Sequence, residues 1–390
     1  MPRLAEGTDR ILGEGAMQAL KDAQQLEKAG RKVLHFEIGQ PDFPTPEHIK
    51  RAGIQAITDG FTKYTLTTGI PELKEAIQNE IQISRGFTPD LGQIVVLPGV
   101  KPGIYLSMVA VCNPKDEVIY PDPGFPTYGS LCKYIGVKSI PIQLKEENGF
   151  QMDSGDVADR ISSKTKLIIL NSPHNPTGSV ITKQGMEDIV KIAEEYDCFI
   201  LSDEIYSKFV YDSDFLSPAS YDEAKERTIL LDGFSKSYSM TGWRLGYLIG
   251  PRSFVEKLET LIINAFTCTS EFIQRAGIAA LRGPQEDQIE MVNVFRKRRD
   301  RIVEGLNRIP GFTCQIPQGA FYAWPNITNT RMSSKKMAHY LLHDAGVSCL
   351  PGTAFGAGGE GYLRFSYATS METINEALGS MKDAMEKLST

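Results

Sequence analysis

At 390 residues, with 41% hydrophobic and 23% charged side chains, the chain has material for a large buried core and length for roughly two to three domains. A formal net charge of -6 leaves no overall basic field for a nucleic-acid backbone, although a local pocket for a small anion is compatible with it. Six cysteines stand singly, with no C-x-x-C pair and no secretory signal ahead of them, and no apolar run approaches the roughly 18 residues of a membrane span, so a cytoplasmic protein with reduced thiols is expected.

Residues 16–29 place apolar side chains at helical spacing and Gly30 follows as a stop, which predicts an amphipathic helix. Residues 33–38 read as a strand, broken by the turn chemistry of Gly-Gln-Pro-Asp-Phe-Pro at 39–44. From there to about residue 250 short apolar runs at 94–97, 117–120, 166–170, 198–202, 229–231 and 247–249 alternate with helical stretches such as 185–196. Runs of this kind, bounded by Gly, Pro, Asn or Asp, are the pattern of buried strands in an α/β sheet. Strands alternating with helices imply right-handed crossovers, a mostly parallel sheet flanked by helices, and a binding crevice at the carboxyl ends of the strands. Beyond Ser253 come helical patterns at 254–263 and 286–308, a segment at 319–324, a helix near 334–345 and a strand at 362–367, which suggests a second, smaller α+β unit. The expected organisation is an N-terminal arm with part of the small unit over 1–47, a large unit over 48–288 and a small C-terminal unit over 289–390.

The residues that can carry chemistry follow the predicted strands. Lys236 lies in Ser-Lys-Ser-Tyr-Ser-Met-Thr-Gly-Trp-Arg at 235–244, just after the run at 229–231. A lysine amine condenses with an aldehyde cofactor and, once displaced, is a free base beside a substrate α-carbon. Asp203 ends the run at 198–202, where a buried carboxylate calls for a cationic partner, and a protonated pyridine ring would serve. Tyr206, three residues on, sits about one helical turn away and could donate to a phenolate oxygen of such a ring. Arg244 follows Lys236 by eight residues, and a guanidinium matches phosphate oxygens bidentately. Gly99, Val100 and Lys101 open a helix after the run at 94–97, so their amides could cradle the same phosphate. Arg364, in Tyr-Leu-Arg-Phe-Ser-Tyr, either pairs with a structural acid or binds a substrate carboxylate. Together these are the groups a pyridoxal 5'-phosphate site needs, and they point to amino-acid chemistry.

Two other signals are declined. Residues 356–361 satisfy G-x-G-x-x-G, but a strand follows them where a dinucleotide site needs a helix. His339 and His343 are four apart without the Glu of H-E-x-x-H, so a packed or solvated helix face is expected and no metal site is predicted.

With these motifs in hand, the chain resembles the class I and II aminotransferases of the fold-type I pyridoxal phosphate enzymes, and among them the bacterial and archaeal aspartate and aromatic subgroup. The resemblance runs from about Gly39 through Gly-Ile-Pro-Glu-Leu at 69–73, Asn-Ser-Pro-His-Asn-Pro-Thr-Gly at 171–178, Ser-Asp-Glu-Ile-Tyr at 202–206 and 233–246 to Gly-Tyr-Leu-Arg at 361–364. It implies that Lys236 carries the cofactor covalently, that Asp203 pairs with its pyridine nitrogen, and that Tyr206 and Asn175 hydrogen-bond its ring hydroxyl. Arg244 and the amides of Val100 and Lys101 would hold the phosphate, Phe125 would stack on the ring, and Tyr64 would reach the phosphate of the other subunit. Arg364, Asn175 and the amide of Gly39 would receive the substrate α-carboxylate, and the active sites would lie at a homodimer interface.

The sequence departs from the family pattern in two places. Gly233 stands where many members have a phosphate-binding serine, leaving Ser235 as a substitute. No arginine occurs in 262–271, where members that bind dicarboxylates through the partner subunit carry one. Lys101 resembles the lysine that the bacterial and archaeal subgroup uses for a distal carboxylate, whereas Phe266 and Phe272 would suit an aromatic or aliphatic side chain. The expected activity is therefore amino transfer from aspartate, glutamate or an aromatic amino acid to a 2-oxo acid such as 2-oxoglutarate. The alternatives are a C–S β-lyase on the same scaffold and a non-catalytic regulatory protein that senses the cofactor.

Overall fold

The computed structural model describes residues 4–222 and 226–389. Its strands are β1 (Leu34–His35), β2 (Ile94–Leu97), β3 (Glu117–Asp122), β4 (Lys138–Gln143), β5 (Thr165–Asn171), β6 (Phe199–Asp203), β7 (Thr228–Gly233), β8 (Gly246–Ile249), β9 (Tyr322–Ala323), β10 (Val347–Ser348), β11 (Leu350–Pro351) and β12 (Leu363–Ser366). Seven of them form one sheet in the order β2-β8-β7-β6-β5-β3-β4. Neighbours in it are parallel except that β8 runs against both β2 and β7.

Both faces of this sheet are buried, which is why its strands read as unbroken apolar runs. Leu167, Ile169, Leu201, Ile229 and Leu231 point into one hydrophobic cluster, while Ile168, Leu170 and Ile200 point into a second and Leu230 into a third. The period of two along a strand sends successive side chains to opposite faces, and helices cover each.

The expected α/β architecture is present, with three local differences. Strand β4 escaped the sequence reading because its residues, Lys-Ser-Ile-Pro-Ile-Gln, are mostly half-buried or exposed at the sheet edge, where a missing proline N–H does no harm. The strand expected over 33–38 shrinks to β1, paired in parallel with β10. Beyond it the carbonyl of Phe36 accepts from the Ser366 amide and that of Glu37 from Arg364, so those carbonyls tie the segment to the second sheet. The helix expected over 334–345 is α-helical only at Ser334–Tyr340 and continues as a π-turn over Leu341–Ala345. Within it the rings of His339 and His343 lie 4.2 Å apart.

The C-terminal part builds a separate antiparallel sheet, β11-β12-β9. Phe321, next to β9, packs against Tyr206 and Phe209 beyond the end of β6 and against Phe295 of the helix Glu286–Leu306, at centroid distances of 5.2–5.4 Å. Among the described residues no helix is long and apolar enough to cross a membrane.

Candidate active site

The pairing register collects the predicted residues at one edge of the large sheet. Asn171 at the end of β5 pairs with Asp203 at the end of β6, which in turn pairs with Leu231 of β7. Because β8 is antiparallel, its first residue, Gly246, sits beside both Gly233 and Leu97. The chain therefore leaves this edge at Gly233, forms the turn Phe234–Ser237 that bears Lys236, and returns past Arg244 to the same edge. Glycine is required by the closeness of these segments. A Cβ on Gly246 would fall 2.9 Å from the backbone of Gly99 and Val100, and one on Gly99, whose φ is +98°, would fall 2.2 Å from the Arg244 guanidinium.

A cavity of about 500 Å³ opens at this edge. Gly39, Val100, Lys101, Phe125, Asn175, Asp203, Tyr206, Ser235, Lys236, Arg244 and Arg364 all line it. Tyr64 stands apart and is 85% exposed in the single chain, and Phe266 and Phe272 also fall outside the cavity lining of one chain.

Lys236 donates from Nζ to the Gly39 carbonyl. Its pKa is lowered to about 8, first by burial and then by the positive charges of Arg364, Arg244 and Lys101. Burial pushes Asp203 up to about 6. The Asp203 carboxylate accepts from the Tyr128 hydroxyl at 2.8 Å and from the Ile205 amide at 3.4 Å. Both donors are neutral, so neither balances a charge held in a low-dielectric setting.

Arg364 is buried, with its guanidinium carbon 4.5 Å from the Tyr322 ring centroid and 4.9 Å from that of Phe355. Its fork donates to Oδ1 of Asn175 at 3.2 Å and to the carbonyl of Glu37 at 2.5 Å, and among the described residues its Nε has no partner. These partners are neutral oxygens, and among the described residues no acid forms an ion pair with it. Tyr206 follows β6 on a turn rather than a helix, and its hydroxyl meets that of Tyr322 at 2.6 Å.

Sequence reasoning missed Tyr128, Tyr322 and Asn171. Asn171 binds the Asp203 carbonyl and accepts from the Asn175 amide, so it fixes the loop that carries Asn175. It stands in the quoted 171–178 motif, which was the available signal; Tyr128 and Tyr322 offered none beyond being aromatic.

Beneath the site the buried Arg85 guanidinium bridges Glu204 and Asp232, with N–O distances of 3.1 and 2.5 Å. It thus ties the tips of β6 and β7, which present Asp203 and Lys236. Arg85→Leu strands two buried carboxylates and is expected to destabilise the fold by about 3–5 kcal/mol. A denaturant midpoint shifted by less than about 1 kcal/mol in stability would remove this role.

A comparison with known families decides the identity. The model described as aminotransferase class I and II matches residues 31–381. The chain belongs to that family. This aminotransferase is 40% identical over 370 residues to an aspartate aminotransferase of Pyrococcus horikoshii, covering 94% of each chain. It is 38% identical over 359 residues to the aromatic-amino-acid aminotransferase 2 of Thermococcus litoralis, covering 91% of this chain and 92% of that one. The crystal structure of an aspartate aminotransferase from Rhizobium meliloti superposes with a TM-score of 0.95 at 33% identity, covering 99% of both chains. Aminotransferases of this family use pyridoxal phosphate, and the residues present fit it. The uncompensated Asp203 carboxylate suits a pyridinium, and the glycine-lined approach to the Val100 helix start, with Arg244 alongside, suits a phosphate.

Proposed function

We propose that this aminotransferase moves the amino group of an L-amino acid to a 2-oxo acid, with 2-oxoglutarate as the expected acceptor, in a ping-pong cycle that runs through Lys236. The observation that supports this most is the Lys236 amine itself, held in the cavity at a pKa near 8 within reach of the Gly39 carbonyl. When bound, pyridoxal phosphate supplies the aldehyde that takes up the amino group and the ring that withdraws electrons from the α-carbon.

Lys236 as free amine takes the α-proton of the substrate on Nζ and returns it one position along, which is general base and then general acid work by a single group. Asp203 would keep a ring nitrogen protonated by ion pairing, and Tyr206 and Asn175 would hydrogen-bond the ring hydroxyl. Phe125 would stack on the ring. Arg244 with the amides of Val100 and Lys101 would hold the phosphate. Arg364, Asn175 and the Gly39 amide orient the α-carboxylate, so that the bond to be broken faces Lys236.

Two copies complete the site in this reading, because Tyr64, 85% exposed, and Leu66, 65% exposed, are free to meet a second subunit, where Tyr64 would reach the phosphate. The units over 48–288 and 289–390 are proposed as the large and small domains, the first holding the cofactor and the second contributing Arg364.

A panel of amino donors against 2-oxoglutarate and pyruvate, with product amino acids quantified, tests the reaction. Formation of pyruvate and ammonia from cystathionine without any acceptor would instead assign a β-lyase. Arg364→Lys keeps the charge but loses the planar fork. Its catalytic efficiency is expected to fall roughly 10- to 100-fold for every donor alike, the scale of a charge-assisted hydrogen bond. A loss confined to one class of donor would reassign Arg364 to side-chain recognition.

A further inference from the structure

Among the described residues, Glu14 is the one carboxylate besides Asp203 that lines the cavity. It occupies the N-cap position of the helix Gly15–Lys28, where a carboxylate ordinarily turns back to the free amides of its own helix. Here it makes no such bond. Its Oε1 instead accepts from Lys101 Nζ in an ion pair and from the Thr127 hydroxyl at 3.3 Å. Lys101 lies at the start of the helix Val100–Val111, with its ammonium 5.2 Å from the Phe125 ring centroid. The pair therefore bridges, within the cavity lining, the start of the helix Gly15–Lys28 and the start of the helix Val100–Val111.

The charges lining the cavity can be assigned in turn. Under the proposed function Arg244 faces the phosphate, Arg364 the α-carboxylate and Asp203 the ring nitrogen, while Lys236 performs the chemistry. Lys101 and Glu14 are the charges left for the substrate side chain, and they neutralise one another. Met17, Ile104 and Phe125 also line the cavity, so the pair has apolar neighbours against which an apolar side chain can pack.

We infer that Glu14 is a specificity-determining residue: by holding Lys101 it makes the side-chain subsite neutral and favours amino donors with apolar or aromatic side chains over acidic ones. This rests on the reading of the site given above. A donor with a distal carboxylate, like 2-oxoglutarate as acceptor, can use Lys101 only after displacing Glu14, and then lies close to a like charge, a repulsive element of the kind that sets specificity. An aromatic side chain leaves the pair in place and packs beside it.

The test compares holoenzymes of the parent and Glu14→Gln. Glu14 has a side chain 32% exposed, so the amide is accommodated without a buried vacancy. The half-reactions with glutamate and with phenylalanine are followed at the cofactor absorbance, and the ratio of their second-order rate constants is the readout. Calorimetric binding of succinate and of 3-phenylpropionate gives a parallel ratio without turnover. Both ratios are expected to move about tenfold towards the acidic ligand in Glu14→Gln. A ratio that is unchanged, or that moves towards the aromatic ligand, overturns the role of Glu14. Failure of the parent holoenzyme to react with any amino donor would strike the proposed function instead, so the two failures are told apart.

Discussion

Lys236→Ala is expected to abolish amino transfer. Removing the proton carrier alone costs on the order of 10²–10⁴-fold, and loss of the nucleophile removes covalent capture of the aldehyde as well. Borohydride reduction of the parent holoenzyme followed by peptide mapping should place the cofactor on Lys236. A label on another lysine would sink the assignment. The lowered pKa adds a pH signature: the amine is nucleophilic only when neutral, so capture of pyridoxal phosphate by the apoenzyme should quicken as pH rises through about 8 and then level off. Some cofactor affinity should survive in the alanine variant through Arg244 and Asp203.

Under the proposed roles Asp203→Asn removes the charge that would keep the ring nitrogen protonated, and a weakened electron sink costs on the order of several kcal/mol of barrier. Single-turnover rates within a few fold of the parent would show that Asp203 has another task. The apoenzyme should respond in the opposite sense. Burial raises the folded-state pKa of Asp203 to about 6 from its ordinary 3.8, so this group destabilises the apo fold increasingly as pH climbs from about 4 to 6 and fully above that. At pH 7.5 apo Asp203→Asn should melt above the apo parent, and loading the cofactor should raise the melting temperature of the parent more than that of the variant.

What the sequence made legible follows from how local each signal is. Lys236 and Arg244 share one ten-residue motif after an apolar run, and Asp203 ends another, so strand reading alone put them at strand ends. The partners of these groups come from far along the chain. Tyr128 reaches Asp203 across 75 residues and Glu14 reaches Lys101 across 87, and no periodicity or turn chemistry encodes such pairings. The reversed direction of β8 was hidden for a related reason: a run of four buried residues looks the same whichever way it enters a sheet. Strand β4 was lost because its edge position lets it keep Lys, Ser and Pro, which weaken every strand signal.

The return of the chain along β8 has a bearing on how this enzyme can be altered. Lys236 and Arg244 hang from a single hairpin whose two legs are locked at Gly233 and Gly246, whereas Arg364 hangs from a different sheet. Under the proposed roles, retention of the cofactor and the hold on the substrate α-carboxylate are thus carried by separately built parts. Changing the number of residues between 237 and 243 would displace Lys236 and Arg244 together, the two cations proposed to hold the cofactor, and would forfeit the loaded enzyme. Substitutions around β12 leave that hairpin untouched, so the grip common to all donors can be loosened or tightened there in an enzyme that still takes up its prosthetic group, while the choice among donors stays with Glu14 and Lys101.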